Sequence, residues 1–458
     1  MRSLLGERAI VIGGSLAGLM AARVLADHFD HVTVLERDHV EDRPALRKSI
    51  PQGSHAHVLL LGGQQAMSRL YPGFVDRLLS LGTVRVHVGR EFVVLTPTGK
   101  AYSFGGAVRE ARDLGITFHY QSRGLLEHCV RQCTLESPNV SFEGDCIVRR
   151  PIFRDGRVRG VICGRDGDIK PLVGDLVVDA GGRGSRAQGW LRQVGFAPPE
   201  ETTVGVDFAY SSARFVAPDY AEPAQVFAAL GPGPDYPKAA YLVPLEDGVR
   251  LLTLGGRFGD YPPTDEAGFL AFAKSLHTPK IHEIVMNAER VSEITHHSYP
   301  TAFRRHYERM PTFPDGFLVI GDALCSFNPV YGQGMSSAAL QAEALQHVLN
   351  ERAEGPAPLE GLAPAFFTKA AEVITTPWLL ATISDFAYPQ TRGVQPPGLE
   401  ESGRYFAAVE ALSADDAKLQ ALIVEVFSLA KPLSALSEEP LRSRVLAKMQ
   451  TAPIASVD

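Results

Sequence analysis

A short apolar strand, a glycine-rich turn and a helix follow one another at the start of the chain. Residues 8–12 are rich in β-branched side chains, the turn at 13–18 interrupts them, and residues 19–26 resume with helical spacing. A second strand at 31–35 ends on Glu36. This acid lies about twenty residues past the glycines, where dinucleotide-binding folds place the carboxylate that accepts from a ribose hydroxyl. The spacing therefore predicts a Rossmann-like unit that binds a dinucleotide.

The turn itself has the residues that a diphosphate site requires. Gly13 permits the tight turn, and Gly18 lets the helix pack close to the strand. The first free N–H groups of the helix would then face the phosphate oxygens. Ser15 takes the middle position of the G-x-G-x-x-G pattern, where a small residue still lets the backbone approach. An ordinary surface turn is the alternative, but the flanking strands and Glu36 favour the dinucleotide.

Length and composition limit the class of protein. The 458 residues allow two or three substructures, and a net charge of −7 without a dense basic run argues against a nucleic-acid partner. The N-terminal segment does not resemble a secretory signal, and no apolar run reaches the roughly eighteen to twenty residues of a membrane helix. We therefore expect a cytoplasmic protein whose five scattered cysteines are buried thiols.

A loop follows the second strand and enters a helix near Val58. Its Arg47 and Lys48 either approach the phosphates of a bound dinucleotide or form a solvated basic turn, and the sequence leaves both open. His55 and His57 alternate as on an extended chain. Because no further ligand accompanies them at suitable spacing, we expect no metal site.

Ser122 is a plausible N-cap for a helix that has Arg123 in its first turn. A cation is disfavoured there by the helix dipole unless an anion lies nearby. Arg123 is therefore a candidate contact for a phosphate or a ribityl chain, with a solvated arginine as the alternative. Strands around Ile147 and at 158–163 follow, and the next strand runs into the glycine-rich turn 181–184, which indicates a close approach to the same ligand.

Two stretches do not continue the strand–helix alternation. Residues 84–104 alternate as short strands, which indicates a ribbon that belongs to another sheet. Residues 203–298 combine alternating strands with proline- and glycine-rich turns and a helix at about 265–276. They predict an antiparallel sheet that serves as the substrate platform.

The last strong signal is an apolar strand that delivers Gly321 and Asp322 at its carboxyl end, where open α/β sheets bind ligands. Gly332 and Gly334 then open a helix over about 335–350, and its N-terminus favours negative charge. Beyond a proline-rich linker the sequence is helical to its end.

Four of these motifs follow one another in an order that is typical of one protein family. They are G-G-S-x-A-G-L with Glu36, the helix opened by Ser122, D-A-G-G-R-G-S at 179–185, and G-D-A-x-x-x-F-N-P-x-Y-G-Q-G-M at 321–335. Over about residues 6–395 the chain resembles FAD-dependent oxidoreductases of the para-hydroxybenzoate hydroxylase fold, the class A flavoprotein monooxygenases. P-Q-G-x-H-A-H and P-W-x-x-A-x-x-x-D-x-x-Y-P are similar to a bacterial subgroup that tailors polyketides in antibiotic biosynthesis, which includes polyether epoxidases and dialkyldecalin synthases.

The resemblance implies an α/β fold with a Rossmann-like FAD-binding domain, an interleaved antiparallel-sheet substrate domain and a helical C-terminal region. The implied pieces are 1–75, 120–202 and 301–350 for FAD binding, 76–119 and 203–300 for the substrate sheet, and 351–458 for the helical region. Glu36 would meet the adenosine ribose, Asp322 the ribityl chain, Gly332 and Gly334 the isoalloxazine edge, and Pro329 would lie beside the ring. The full set of expected FAD-binding residues is Gly13, Gly14, Ser15, Gly18, Glu36, Arg37, Lys48, Arg123, Asp322, Pro329, Gly332 and Gly334.

One departure from the family bears on the reaction. Many hydroxylases of this fold have an Asp that supports FAD and NAD(P)H where this chain has Gly181, and Asp179 lies two residues earlier. The resemblance implies a monooxygenase that epoxidises or hydroxylates a large apolar polyene or aromatic compound through a flavin hydroperoxide. The alternative is a redox-neutral [4+2] cyclase in which FAD is structural and the pocket preorganises a linear polyene. A flavin-binding protein without catalysis is a third hypothesis.

The sequence assigns no catalytic acid or base and no oligomeric state. It leaves open whether NAD(P)H or a separate flavin reductase supplies electrons. Several side chains are possible pocket residues, although each is more often structural: His55, His57, Tyr210, Tyr241, Glu246, His296 and His297.

Overall fold

A computed structural model describes residues 4–96, 99–101, 111–165, 167–216, 225–231 and 233–451. In chain order the strands of these residues are β1 (Gly6–Ile12), β2 (Phe29–Leu35), β3 (Val84–His87), β4 (Phe92–Thr96), β5 (Gly99–Ala101), β6 (Thr117–Tyr120), β7 (Val140–Glu143), β8 (Ile147–Arg154), β9 (Arg157–Arg165), β10 (Asp168–Val173), β11 (Leu176–Asp179), β12 (Glu201–Val216), β13 (Val226–Leu230), β14 (Ala239–Pro244), β15 (Val249–Arg257), β16 (Glu289–Arg290), β17 (Thr295–Arg305), β18 (Phe317–Val319), β19 (Cys325–Ser326) and β20 (Arg392–Gly393).

The α-helices are α1 (Leu16–Leu25), α2 (Leu61–Leu70), α3 (Phe74–Ser80), α4 (Arg123–Leu135), α5 (Ala187–Gln193), α6 (Glu266–Lys274), α7 (Lys280–Met286), α8 (Gly334–Arg352), α9 (Leu362–Asp385), α10 (Leu399–Ser413), α11 (Ala417–Phe427) and α12 (Leu441–Thr451). The predicted strand, turn and helix at the N-terminus are confirmed. The helix predicted near Val58 begins three residues later, at Leu61.

A parallel sheet forms the first layer, with the strand order β18, β11, β1, β2 and β7. Ile10 of β1 pairs with Val177 of β11 on one side and with Thr33 of β2 on the other. Strands β11 and β18 are completely buried, as expected of parallel strands that are covered on both faces. The carboxyl ends of β1, β11 and β18 therefore lie at one edge of the sheet.

A larger, mainly antiparallel sheet forms the second layer, in the order β19, β17, β12, β15, β14, β13, β4 and β5. Strands β16 and β20 also pair with β12. Strand β4 lies parallel to β13, so the ribbon predicted near residue 92 does belong to the second sheet. Strand β3 pairs with β6 instead. Residues 97–98 and 102–104 of that ribbon lie outside the described residues.

The sequence analysis did not predict strand β10. Two strands were expected around residues 147–163, but β10 joins them to make a three-stranded sheet, β10–β9–β8. β10 is an exposed edge strand that contains Pro171, so it lacks the apolar alternation that predicts a strand.

The C-terminal region is helical, as predicted. Helix α9 packs against α8, and its Trp378 is buried with its ring centroid 6.5 Å from that of Phe327. The last three helices share a smaller core that includes Val409, Ile423 and Val445. Within the described ranges, no helix is long and apolar enough to cross a membrane.

Candidate functional site

A cavity of about 850 Å³ lies between the two sheets. Its lining includes residues from the ends of β1, β11 and β18, where an open α/β sheet is expected to bind its ligand. It also includes one face of the antiparallel sheet. The cavity therefore brings the glycine-rich segments and the expected substrate platform to the same place.

The glycine turn packs tightly enough to exclude any side chain at two positions. Gly13 has a positive φ of 100°, and a Cβ on it would lie 2.7 Å from the carbonyl oxygen of Ala180. A Cβ on Gly18 would lie only 1.8 Å from the carbonyl oxygen of Gly13. Gly13 and Ser15 line the cavity, whereas Gly18 holds α1 close to the turn.

A buried network of charges surrounds the start of α1. Glu36 Oε2 accepts a hydrogen bond of 2.7 Å from the backbone N–H of Gly14, and Arg47 Nη1 lies 2.9 Å from the same oxygen. Arg47 Nη2 also lies 2.6 Å from Glu127 Oε1. Arg123 lies 3.2 Å from Glu127 and donates to Ser15 Oγ at 2.9 Å. Two arginines and two carboxylates thus balance one another at the expected diphosphate position.

This network leaves hydrogen-bond donors without partners. Arg47 Nε and Arg123 Nη1 are buried and bond to no described residue. Burial disfavours the charged form of both guanidiniums. Glu127 and Glu36 outweigh this for Arg47 and raise its pKa, whereas burial dominates at Arg123 and lowers its pKa. A polyanion in the cavity would supply the acceptors that these donors lack.

The two other predicted basic contacts are exposed. Arg37 lines the cavity at its surface. Lys48 does not line it, and its neighbour Arg47 does. Arg47 begins a turn, in which the backbone N–H of Ile50 donates to the Arg47 carbonyl at 3.0 Å, and only Arg47 of this adjacent pair reaches the network.

The turn after β11 is held by its own carboxylate. Asp179 accepts from the backbone N–H of Gly181 at 2.8 Å and from Ser185 Oγ at 2.7 Å. Burial raises the pKa of Asp179, and these two donors partly offset the effect. Arg183 leaves the same turn and places its guanidinium carbon 4.3 Å from the ring centroid of Tyr299. Asp179 therefore stabilises the turn.

The segment after β18 supplies the other predicted residues. Asp322, Pro329, Gly332 and Gly334 all line the cavity. Burial raises the pKa of Asp322, while Arg183 and Arg123 act in the opposite direction. Gly332 has a positive φ of 66°, and the next residue, Gln333, has a buried Oε1 that no described donor reaches.

Asp385 fixes this segment from behind. Its Oδ1 accepts hydrogen bonds from Arg257 at 3.0 Å, from Asn328 at 2.8 Å and from Tyr331 at 2.8 Å. Arg257 also donates to the Tyr331 hydroxyl at 3.2 Å. The end of α9, strand β15 and the cavity loop therefore meet at one carboxylate oxygen.

The possible pocket residues separate into two groups. Those that line the cavity are His55, His57, Tyr210, Tyr241 and His297. Glu246 does not line the cavity, and its carboxylate accepts from the backbone N–H of Ser122 at 2.8 Å. His296 is exposed and bonds to Ser211. No three metal-binding side chains of the described residues come together to hold an ion.

Comparison with known proteins places the chain in a family. No family model matches it. It is 32% identical over 451 residues to protein Rv3254 of Mycobacterium tuberculosis, and the aligned region covers 96% of this chain and 93% of that protein. The chain belongs to the same family as this mycobacterial protein.

Solved structures agree on the fold. The flavin-dependent brominase Bmp2 superposes with a TM-score of 0.66 at 13% identity, covering 97% of this chain and 99% of that chain. The p-nitrophenol 4-monooxygenase PnpA from Pseudomonas putida DLL-E4 gives 0.60 at 17% identity, covering 94% and 100%. These likenesses confirm the predicted fold class, an α/β FAD-monooxygenase fold with an interleaved second sheet.

Sequence reasoning missed two residues of the site. Glu127 lies one helical turn after Arg123, and this i, i+4 spacing of opposite charges was a readable signal. Asp385 belongs to the P-W-x-x-A-x-x-x-D-x-x-Y-P motif, but the motif does not reveal its partners, since Arg257 and Asn328 are distant in sequence.

Proposed function

We propose that the chain is an FAD-dependent monooxygenase that epoxidises or hydroxylates a large apolar polyene or aromatic compound. The observation that carries this proposal is a single cavity. It is lined both by buried arginine N–H groups that have no partner among the described residues and by a largely apolar sheet face. Flavin dependence also appears in the names of the brominase and of a horse amine oxidase that is 35% identical over 104 residues, 21% of this chain and 18% of that protein.

The residues of the cavity fit FAD. Arg123 and Arg47 have N–H donors that no described residue uses, and these donors lie beside the tight turn at Gly13, where a diphosphate can accept from them. Among the described residues, Glu36 Oε1 bonds only to the Asp38 backbone N–H, at 3.0 Å, and keeps a lone pair for a ribose hydroxyl. At the other end, the unpartnered Oε1 of Gln333 can accept from an N–H group on the edge of a flavin ring.

FAD, once reduced, supplies the electrons that activate dioxygen. The protein's own task is then to bind the substrate and to exclude water. Apolar side chains line much of the cavity, among them Phe92, Leu230, Val243, Leu380 and Phe427. The source of the electrons and a cytoplasmic location remain predictions.

One observation favours the alternative, a redox-neutral [4+2] cyclase. Gly181 stands where many hydroxylases have the Asp that supports NAD(P)H, and Asp179 is engaged within its own turn. In that case FAD is structural, and the same cavity accelerates cyclisation by holding a polyene in a reactive conformation.

The experiment compares products. Purified protein is incubated with an apolar polyene, with and without a reductant and oxygen, and products are analysed by mass. A product heavier by one oxygen atom that needs both reagents supports monooxygenation. An isomer of unchanged mass formed without them supports cyclisation. Protein that is colourless and takes up no added FAD refutes both.

A matched pair of variants tests the cofactor site. Arg123→Ala should weaken FAD binding by roughly ten- to a hundredfold, because it removes a charged donor to the diphosphate. Lys48→Ala should leave the dissociation constant within about twofold, since an exposed charge outside the cavity contributes little. Flavin fluorescence titration of the apoprotein measures both. Equal effects of the two variants would contradict the proposed position of the diphosphate.

A further inference from the structure

One face of the antiparallel sheet carries a polar spot inside the cavity. Alternate residues of β12, β14 and β15 line the cavity, and His55 packs against this face from the segment before α2. Its ring lies edge-on to Tyr210, with centroids 4.3 Å apart. His297 of β17 completes the group, 5.5 Å from Tyr210 between ring centroids.

A chain of hydrogen bonds favours one tautomer of His55. The backbone N–H of Ala56 donates to Thr253 Oγ1 at 2.9 Å, and this oxygen lies 2.6 Å from Ser212 Oγ. Ser212 Oγ in turn lies 2.7 Å from His55 Nδ1. If the chain runs from Ala56 through Thr253 and Ser212 to Nδ1, every hydroxyl proton is used. The opposite direction leaves the Thr253 proton without an acceptor among the described residues.

The satisfied direction places the ring proton on Nε2. His55 is only 3% exposed. Its Nε2 atom is buried and has no hydrogen-bond partner in the described part of the chain. Burial, reinforced by His57 and His297, lowers the pKa of His55 to about 3. The ring is therefore neutral at physiological pH and presents one N–H donor without a charge.

We propose that His55 Nε2–H binds an uncharged carbonyl oxygen, of a ketone, ester or amide, on the otherwise apolar substrate. This inference rests on the proposed function, because it concerns the substrate of the same cavity. A buried donor without a partner is costly, and a carbonyl oxygen removes that cost while bringing no charge into the apolar site. A carboxylate would require a cation at this position, which the neutral ring does not supply.

The test uses two planar compounds of matched shape, 9-fluorenone and fluorene, which differ by one carbonyl group. FAD-reconstituted wild-type protein should bind fluorenone roughly three- to tenfold more tightly than fluorene. The infrared C=O band of bound fluorenone should move to lower frequency. His55→Phe should abolish both effects, and His55→Gln, which keeps an amide donor, should retain part of them.

Controls separate the subsite from folding and from the flavin. His296→Phe, at an exposed histidine outside the cavity, should leave the binding ratio unchanged, and Ser212→Ala should reduce it while retaining the imidazole. Binding is repeated on apoprotein, because Ser212 and Tyr210 of the protein itself hold His55 in place. A ketone preference in protein that binds no FAD would support the subsite and refute the proposed function. An equal ratio in wild type and His55→Phe, or failure of both compounds to bind, would overturn the inference.

Discussion

Replacing Asp385 with alanine tests how firmly the cavity loop is held. The Asp385 side chain is 1% exposed and that of its partner Arg257 is 5% exposed, so the pair is almost completely removed from water. Breaking a buried pair by removing one partner costs about 3–5 kcal/mol, because the remaining charge stays buried. We therefore expect Asp385→Ala to lower the free energy of unfolding by about this amount.

Two variants give the scale of the effect. Asp385→Asn keeps an oxygen for the three donors but places an N–H₂ group where Oδ2 has no partner among the described residues, so we expect a loss of about 1–3 kcal/mol. Glu372→Ala breaks an exposed pair with Lys369 and should change stability by less than about 0.5 kcal/mol.

Urea unfolding followed by far-UV circular dichroism measures all three variants, and FAD titration reports on the loop. Because Asn328 and Tyr331 flank Pro329, Asp385→Ala should also weaken FAD binding, whereas Glu372→Ala should not. A loss below about 1 kcal/mol for Asp385→Ala would show that the network contributes little, and this interpretation of the loop would be wrong.

Two further predictions concern a histidine and a glycine. The pKa of His55 is lowered to about 3, while an unfolded histidine titrates near 6.5, so the unfolded state binds more protons below that pH. Between pH 8 and pH 5 the wild type should lose about 2 kcal/mol more stability than His55→Gln, and equal losses in urea unfolding at the two pH values would contradict this. Gly18→Ala should prevent FAD binding and lower the melting temperature, since its Cβ would overlap the Gly13 carbonyl, whereas Gly189→Ala, with open space around its Cβ, should be tolerated. Similar melting temperatures for the two glycine variants would refute the packing interpretation.

The parts of the site that the sequence predicted depend on local geometry. The turn at Gly13, the acid at Glu36 and the strand that ends at Asp322 each lie within one strand–turn unit, whose spacing is readable. Arg123 was found because a cation in the first turn of a helix is unusual there.

The parts that the sequence could not predict depend on partners far along the chain. His55 and Ser212 are 157 residues apart, and Arg257 and Asp385 are 128 residues apart. No periodicity relates such residues, because their contact results from the way in which the two sheets pack. The choice of Arg47 over Lys48 is of the same kind, since it depends on where Glu36 and Glu127 meet.

The pairing of β4 with β13 has a consequence for engineering. The antiparallel sheet that lines the cavity is assembled from separate stretches of chain, including β4, β12 and β17, so no single cut releases it as a unit. A chimera that exchanges this sheet between relatives must transplant these stretches together, because moving only the central block would pair β13 of one protein with β4 of the other.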